Sequence, residues 1–138
     1  MKFFLSLVIA FSGVFCSYSQ SAYEDGEWLS FKIKYGWFNT SKATLEVRKT
    51  KLNNEDVYHI IGNGKSVGLM DVFFKVRDRY ETYVNQDGLP IKFIRDINEG
   101  GYKKHKELYF DHDSHRVKVI DYKHDTTESF DFELNTQD

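Results

Sequence analysis

Apolar side chains recur at every second position through most of this 138-residue sequence, and this period constrains the fold more than any other feature. In the segment WLSFKIKY at residues 28–35, Leu29, Phe31 and Ile33 alternate with mostly polar residues. Similar alternation returns in SKATLEVRK (41–49), VYHIIG (57–62), RDRYETYV (77–84), IKFIRDI (91–97), YKKHKELYFD (102–111), RVKVIDYK (116–123) and ESFDFEL (128–134). Because successive side chains of a β-strand point to opposite faces, this period predicts strands that each have an apolar face. The 12 Phe, 9 Tyr and 2 Trp residues, with a single Pro, also favour sheet over helix.

Short turns separate these segments, which predicts that neighbouring strands pair as antiparallel hairpins. The turn NEGG contains Gly100 and Gly101, which take positive φ without steric cost and suit a tight hairpin. We therefore expect a mainly β fold in which one strongly curved antiparallel sheet forms a half-barrel or open barrel. Residues 20–138 would form this single domain, and a chain of that length buries about two thirds of its surface when it folds.

One segment breaks the period of two. Val67, Met70 and Phe73 lie at helical spacing, and Ser66 precedes them as a candidate N-cap. We expect one short helix here, capped by Ser66 and closing one end of the sheet.

The first residues have the features of a secretory signal peptide. Lys2 provides a positive end, and an apolar run follows from Phe3 to Cys16. The small residues Ser17 and Ser19 place the cleavage site before Gln20, so residues 1–19 would be removed. The alternative is a membrane anchor, but the run falls short of the roughly 20 apolar residues that a spanning helix needs.

Cys16 is the only cysteine, and it ends the apolar run, where lipoproteins are cut and acylated. Phe15 stands just before it, where that processing requires a small residue, so we prefer ordinary cleavage and leave the lipoprotein as the alternative. The processed chain would then contain no cysteine and could form no disulfide in an oxidising compartment.

The charge balance argues against one class of partner. The formal net charge is −2, and loss of Lys2 makes it one unit more negative. A nucleic-acid-binding protein needs a basic face, which this composition does not indicate, so we expect no nucleic-acid partner.

Three segments together resemble a known family. They are DGEWLSFKIKYGWFNTSKATLEV (25–47), GLMDVFFKVRDRYETYV (68–84) and GLPIKFIRDINEGGYKK (88–104), and in this order they resemble the exported bacterial domain of unknown function 3108. The resemblance implies an exported protein of the periplasm or outer membrane, with a curved sheet similar to the half-barrels of lipoprotein carriers. It implies no activity, and we expect no cofactor. Members of the family are usually longer, so we also expect that the domain is incomplete at its C-terminus, after Gln137 and Asp138.

The aromatic residues provide the candidate binding site. A curved sheet whose aromatic side chains face inward forms an apolar concavity that can hold a lipid. The candidate ligand-binding residues are Trp37, Phe38, Phe73, Phe74, Tyr80, Tyr83 and Arg95. The same rings would also serve as the core of a small domain, and the sequence leaves both interpretations open. Arg95 lies among apolar neighbours on its strand and must pair with Asp78, Glu81 or Glu99, or else reach water.

Two further chemistries are weaker alternatives. Asp111, His112, Asp113 and His115 are residue types that bind transition metals, but a solvated turn is commonly rich in these types, and we expect no metal site. Glu81, Asp96 and Glu99 could provide the two carboxyl groups of a glycan hydrolase. The sequence contains no phosphate-binding loop, no nucleophile elbow and no two-histidine zinc motif. We therefore expect that the protein is not an enzyme.

Three functions therefore remain as hypotheses. The preferred one is a non-catalytic envelope module that binds a lipid or another apolar ligand, without spanning the membrane once the signal peptide is removed. The second is a structural or assembly partner of other envelope proteins, for instance in surface-polysaccharide biogenesis. The third is the glycan hydrolase.

Overall fold

The computed structural model describes residues 23–133, which form one antiparallel sheet of eight strands in chain order. The strands are β1 (Trp28–Tyr35), β2 (Phe38–Leu52), β3 (Glu55–Ser66), β4 (Arg77–Val84), β5 (Pro90–Glu99), β6 (Tyr102–Asp111), β7 (Arg116–Asp121) and β8 (Thr126–Asp131). The helix of this described part of the chain is short: α1 (Gly68–Phe73), between β3 and β4. The sheet is curved but not closed, so β1 and β8 are its edges. The prediction of a mainly β, curved and open antiparallel sheet with one short helix is confirmed. The predicted signal peptide lies outside the described residues.

Alternating strand directions divide the connections between two ends of the sheet. One end, which we call the helix end, carries the connections at residues 36–37, 67–76, 100–101 and 122–125. The opposite end carries those at residues 53–54, 85–89 and 112–115. Gly100 and Gly101 have φ of 55° and 93°, as the predicted turn between β5 and β6 requires.

The strand register separates an apolar face of the sheet from a polar face. Residues directly opposite on paired strands share a face. Leu29 lies opposite Leu45, for example, and Phe93 lies opposite Leu108. The apolar face carries Leu29, Phe31, Ile33, Leu45, Val47, Tyr58, Ile60, Tyr80, Val84, Phe93, Ile97, Leu108 and Val119. The polar face carries Lys32, Lys42, Glu46, His59, Lys65, Arg77, Arg79, Glu81, Tyr83, Lys92, Asp96 and Glu107.

The core lies on the apolar face, in the half of the sheet away from the helix. Val47, Tyr58 and Val84 are buried there against one another, and Tyr23 and Ile60 pack on them. On the other side of β3, Val57 and Ile61 are also buried, so both faces of this strand are covered there. Each fully buried side chain of this kind contributes about 1.5 to 3 kcal/mol to stability.

The structure corrects the expected role of Ser66. The residue at the N-cap of α1 is Val67, and it makes no capping hydrogen bond through its side chain. Ser66 is still the last residue of β3, opposite Ser41, and its buried hydroxyl donates to Asp71 Oδ1 at 2.5 Å. The N-cap prediction was wrong because Ser66 still belongs to β3 and the helix begins only at Gly68, which makes Val67 the N-cap.

The helix also covers less of the sheet than expected. It lies at one end of the sheet, beside β2, but none of its residues is buried. It therefore does not seal that end. Within the described residues, no helix has the length and apolar character needed to cross a membrane.

Candidate ligand-binding surface at the helix end of the sheet

Four of the predicted site residues lie at the helix end with their rings in solvent. Trp37 is 94% exposed, Phe73 79%, Phe38 68% and Phe74 43%. The alternative interpretation, in which these rings form the core, is therefore wrong for these four residues.

More apolar side chains are exposed around them. Tyr35, Leu69, Met70, Val72, Tyr102 and Tyr122 are also exposed large hydrophobic residues at the helix end. At the opposite end, the described connections contain no exposed large hydrophobic residue, and the exposed rings near the strand ends there are Trp28, Tyr109 and Phe130. The apolar surface is thus concentrated at one end of the sheet.

This surface continues along the first strand. Leu29, Phe31 and Ile33 lie on the apolar face of β1 and are 40%, 52% and 51% exposed. They remain open because β1 is an edge strand and has a neighbouring strand on one side only. A contiguous exposed apolar patch of this kind is unusual for a soluble domain and typically marks a binding surface.

Phe74 fixes the helical segment to the rest of the sheet. A Cβ atom added to Gly100 would overlap the Phe74 ring, so the ring lies directly against the turn between β5 and β6. The Gly100 amide also donates to the Lys75 carbonyl oxygen at 2.8 Å. The absence of a side chain at Gly100 therefore allows the close approach that holds this end together.

The two predicted tyrosines do not join the exposed rings in one cluster. Tyr80 lies on the apolar face, where its ring stacks on Phe93 with centroids 6.3 Å apart. Tyr83 lies on the polar face and stacks on the His59 ring at 4.1 Å. Their odd spacing along one strand sends them to opposite sides of the sheet, so a single apolar ligand on one face would contact only Tyr80.

Arg95 lies on the apolar face, opposite Tyr80 and Lys106, and its side chain is exposed to water. Of its three candidate partners, Glu81 lies on the other face. The pKa of the Glu99 carboxyl is raised by its hydrogen bond to Asp78 and by the charge of Asp78, and the charge of Arg95 partly opposes this rise. The side chain of Arg95 is therefore exposed to water, and its charge also acts on the Glu99 carboxyl group.

The sheet separates Glu99 from the other two carboxyl groups considered for hydrolysis. Glu81 and Asp96 lie on the polar face, whereas Glu99 is on the apolar face with Asp78. Burial by itself raises the pKa of Glu81, but hydrogen bonds from Arg79 at 2.6 Å and His59 at 2.7 Å bring it below its ordinary value. A glycosidase needs two carboxyl groups across one cleft and a raised pKa on the general acid. Glu81 and Glu99 do not form such a pair.

The turn considered for metal binding makes ordinary protein contacts. Asp111 accepts hydrogen bonds from the amides of Asp113 and Ser114, both at 3.1 Å, and His112 Nε2 lies 2.6 Å from the Pro90 carbonyl oxygen. Within residues 23–133, no group of three or more His, Cys, Asp or Glu side chains could hold a metal ion.

The structure reveals a row of cations on the polar face that sequence reasoning missed. Lys32 lies opposite Lys42, Lys42 opposite Lys65, and Lys65 opposite Arg77, so four positive side chains cross four adjacent strands. We call these residues the lysine row. Like charges directly opposite one another destabilise a sheet.

Only one member of the lysine row is neutralised within the sheet. Arg77 Nη1 and Nη2 donate to the Asp71 carboxylate at 2.6 and 3.0 Å, and these bonds, with that from Ser66, hold the pKa of Asp71 well below its usual range. Lys32, Lys42 and Lys65 make no ion pair with any of the residues that the structure describes. An open cleft of about 360 Å³ runs beside them, lined by Lys42, Thr44, Asn63, Gly64, Lys65, Arg77, Asp78 and Arg79.

The fold and this surface together define a class of protein: a single-layer, open antiparallel sheet whose apolar face is exposed along its first strand and whose helix end is apolar. The chain belongs to the family described as Protein of unknown function (DUF3108), whose profile matches residues 30–138. This match confirms the family resemblance carried by segments such as FFKVRDRYE and FIRDINEGGY. No curated protein and no solved structure matches the chain.

Proposed function

We propose that this protein is an exported, non-catalytic module of the cell envelope that binds a lipid or another apolar ligand. The ligand would lie along the apolar face of β1 and extend to the exposed rings of the helix end. The observation that carries the proposal is the continuous exposed apolar surface formed by Leu29, Phe31 and Ile33 together with the rings at that end.

The energetics of this surface support ligand binding. A fully buried side chain of this size contributes about 1.5 to 3 kcal/mol. Since Leu29, Phe31 and Ile33 are each about half exposed, an acyl chain that covered them would gain about 2 to 4 kcal/mol. Contacts with Phe38, Phe74 and other exposed rings would add to this gain.

Two sequence features support the export part of the proposal. Lys2 and the apolar run from Phe3 to Cys16 have the form of a signal peptide, and cleavage before Gln20 would leave a chain without cysteine. We infer the periplasm or the outer membrane as the location, because the family resemblance implies an exported envelope protein. Mass spectrometry of the protein recovered from the envelope would show an N-terminus at Gln20, and recovery from the cytoplasm with residues 1–19 intact would refute export.

The ligand is tested by extraction and by titration. Protein purified from the envelope without detergent is extracted with organic solvent and analysed by mass spectrometry, and the stripped protein is titrated with a fluorescent fatty acid. We expect a co-purified apolar molecule in near-stoichiometric amount, together with saturable binding of the probe. An extract without such a molecule, combined with no saturable binding, would refute the proposal.

A matched pair of variants locates the binding surface. Phe31→Ser changes the apolar face of β1, whereas Trp28→Ser changes the polar face of the same strand at a side chain of similar exposure, 58%. Binding of the fatty acid should weaken in Phe31→Ser and stay close to wild type in Trp28→Ser. Equal weakening in both variants would show that the ligand does not lie on the apolar face.

The edge strand β1 favours a second candidate function, an assembly partner in the envelope. An open strand edge offers backbone hydrogen-bonding groups to an added strand, and the exposed apolar side chains of β1 would pack on that strand. Ser30→Cys would place a single thiol on this strand in a processed chain that has no other cysteine. Crosslinking from the introduced thiol to one specific envelope protein would support this function, and an absence of specific crosslinks would count against it.

A further inference from the structure

The exposed rings and the lysine row lie at the same end of the sheet. The turn between β1 and β2 places Trp37 at the extreme of this end, and Phe73 lies in the neighbouring helix. Lys34 and Lys32 precede Trp37 by three and five residues on β1, and Lys42 follows it by five on β2. At about 3.3 Å per residue, these lysines lie about 3 to 13 Å behind the strand ends at Tyr35 and Phe38, which flank the turn that contains Trp37.

This spacing matches the structure of a membrane surface. Apolar side chains of peripheral proteins enter about 5 to 10 Å below the headgroups, where Trp and Tyr rings are preferred. Lysine side chains extend along apolar surface and keep their charge among the phosphates. The rings at the end of the strands would therefore lie at the acyl boundary, and the lysines behind them would lie in the headgroup layer.

The charges indicate what kind of surface would be bound. Besides the lysine row, Lys34, Lys75, Lys103 and Lys123 are exposed at or near the helix end. The acidic side chains there include Asp71, which is held by Arg77, the Asp78–Glu99 pair on the apolar face, and Asp125. Since the row lysines have no acidic partner among residues 23–133, an anionic surface would relieve their mutual repulsion. A soluble anion would also do this, but it would leave Trp37 and Phe73 exposed to water.

We propose that the helix end is a docking surface for an anionic lipid membrane, with Trp37, Phe38 and Phe73 entering the interface and the lysine row contacting the lipid phosphates. This interaction uses the rings at which the proposed ligand-binding surface ends. It requires only that the end of the sheet meets a bilayer, whether or not a ligand is bound.

The two tryptophans of the chain allow a direct test. Trp28→Phe leaves Trp37 as the only tryptophan, so its fluorescence reports on this end alone. Purified protein, with its N-terminus established by mass spectrometry, is mixed with phosphatidylcholine vesicles or with vesicles in which half of the lipid is phosphatidylglycerol. We expect a blue shift of Trp37 emission and co-sedimentation with the anionic vesicles, both weakened by salt. An unshifted spectrum, or equal binding to both kinds of vesicle, would overturn the proposal.

Charge variants with a matched control test the lysine row. Lys42→Glu changes the charge of the row by two units, which should weaken vesicle binding about tenfold to thirtyfold, since each basic residue near an anionic surface contributes about fivefold. Lys118→Glu makes the same change at an exposed residue of the polar face on β7, outside the row, and should bind close to wild type. An equal loss in both variants would mean that only overall charge matters, and would overturn the assignment to this end.

Two further measurements distinguish the remaining explanations. Phe73→Ser should weaken vesicle binding, whereas Phe130→Ser, at an exposed ring on β8, should not; equal effects would refute docking through the helix end. Saturable binding of pyrophosphate that abolished vesicle binding would identify a soluble-anion site instead of a membrane surface. The Lys42→Glu variant should lose membrane docking but keep its bound apolar ligand. A wrong docking proposal and a wrong ligand-binding proposal would therefore give different results.

Discussion

Replacing Lys42 with glutamate should stabilise the sheet, although it introduces an acidic residue in place of a half-buried lysine. Lys42 lies directly between Lys32 and Lys65 on neighbouring strands, so the native row contains two like-charge contacts at this residue. The change turns both into opposite-charge contacts. A cross-strand pair of opposite charge contributes about 0.2 to 1 kcal/mol, and a like-charge pair is unfavourable.

The expected gain is moderate because water screens part of the interaction. Lys32 and Lys65 are exposed, which places each contact in the lower half of the range for cross-strand pairs. We therefore expect the free energy of unfolding to rise by about 0.5 to 2 kcal/mol, and Tm to rise by about 2 to 8 °C.

Urea denaturation at low and at high salt measures this effect. The gain from Lys42→Glu should shrink at high salt, because the repulsion that it removes is electrostatic. Lys42→Gln removes the repulsion without adding attraction and should give about half of the gain. Lys118→Glu should stay within about 0.5 kcal/mol of wild type, as is usual for a surface substitution. A loss of stability in Lys42→Glu, or a gain that does not depend on salt, would refute the reasoning.

Two other predictions concern the helix end. Gly100→Ala and Gly101→Ala both place a side chain at positive φ, which costs about 1 to 2 kcal/mol, but only Gly100→Ala also displaces the Phe74 ring. Urea denaturation should therefore show the larger loss of stability for Gly100→Ala. Equal losses would show that Phe74 is not packed there. Asp78→Asn keeps the acceptor for the Asn98 amide, which Asp78 Oδ1 binds at 3.0 Å, and removes the carboxyl group whose hydrogen bond and charge raise the pKa of Glu99. A carboxyl group with a raised pKa favours the folded state below its ordinary pKa of 4.5, and this contribution is lost as the pH rises through the raised value. Asp78→Asn should therefore stabilise the protein near neutral pH and have little effect well below pH 4.5, and an equal effect at both would contradict the assigned cause.

The sequence was sufficient for the strands because alternation is a local property. The segment around Leu29, Phe31 and Ile33 has a period of two whether or not anything covers it, so the sheet could be predicted from single segments. Burial could not be predicted in this way. Trp37 and Phe73 are apolar, but they are exposed because the single-layer sheet leaves its helix end uncovered. The Ser66 cap failed for a related reason: hydrogen bonds to a neighbouring strand extended β3 beyond its local pattern.

Parts of the site were present in the sequence but needed the register to become visible. Tyr80 and Tyr83 are three residues apart on one strand, and this odd spacing already placed them on opposite faces. The lysine row required more information. Lys32 and Lys42 become neighbours only when the turn at Gly36 and the bulge beside Ile33 fix how β1 pairs with β2. Lys65 joins them only when the turn at residues 53–54 fixes how β2 pairs with β3. Net charge, which is slightly negative, gave no indication of such a local concentration.

A flat membrane surface can contact both rings and lysines of a single-layer sheet only at the end of its strands. Along the strands, the two faces point in opposite directions, so a plane that contacts Phe31 on the apolar face cannot also contact Lys32 on the polar face. At the end of the strands this restriction disappears, because Trp37 lies beyond the last backbone pairs and lysine side chains are long enough to extend from the polar face toward the same plane. An acyl chain leaving a bilayer at Trp37 would meet Phe31 and Leu29 next along the apolar face, in contact with protein at each step. The membrane-docking end and the ligand-binding face would therefore be successive parts of one path, which is why Lys42→Glu and Phe31→Ser should impair different steps.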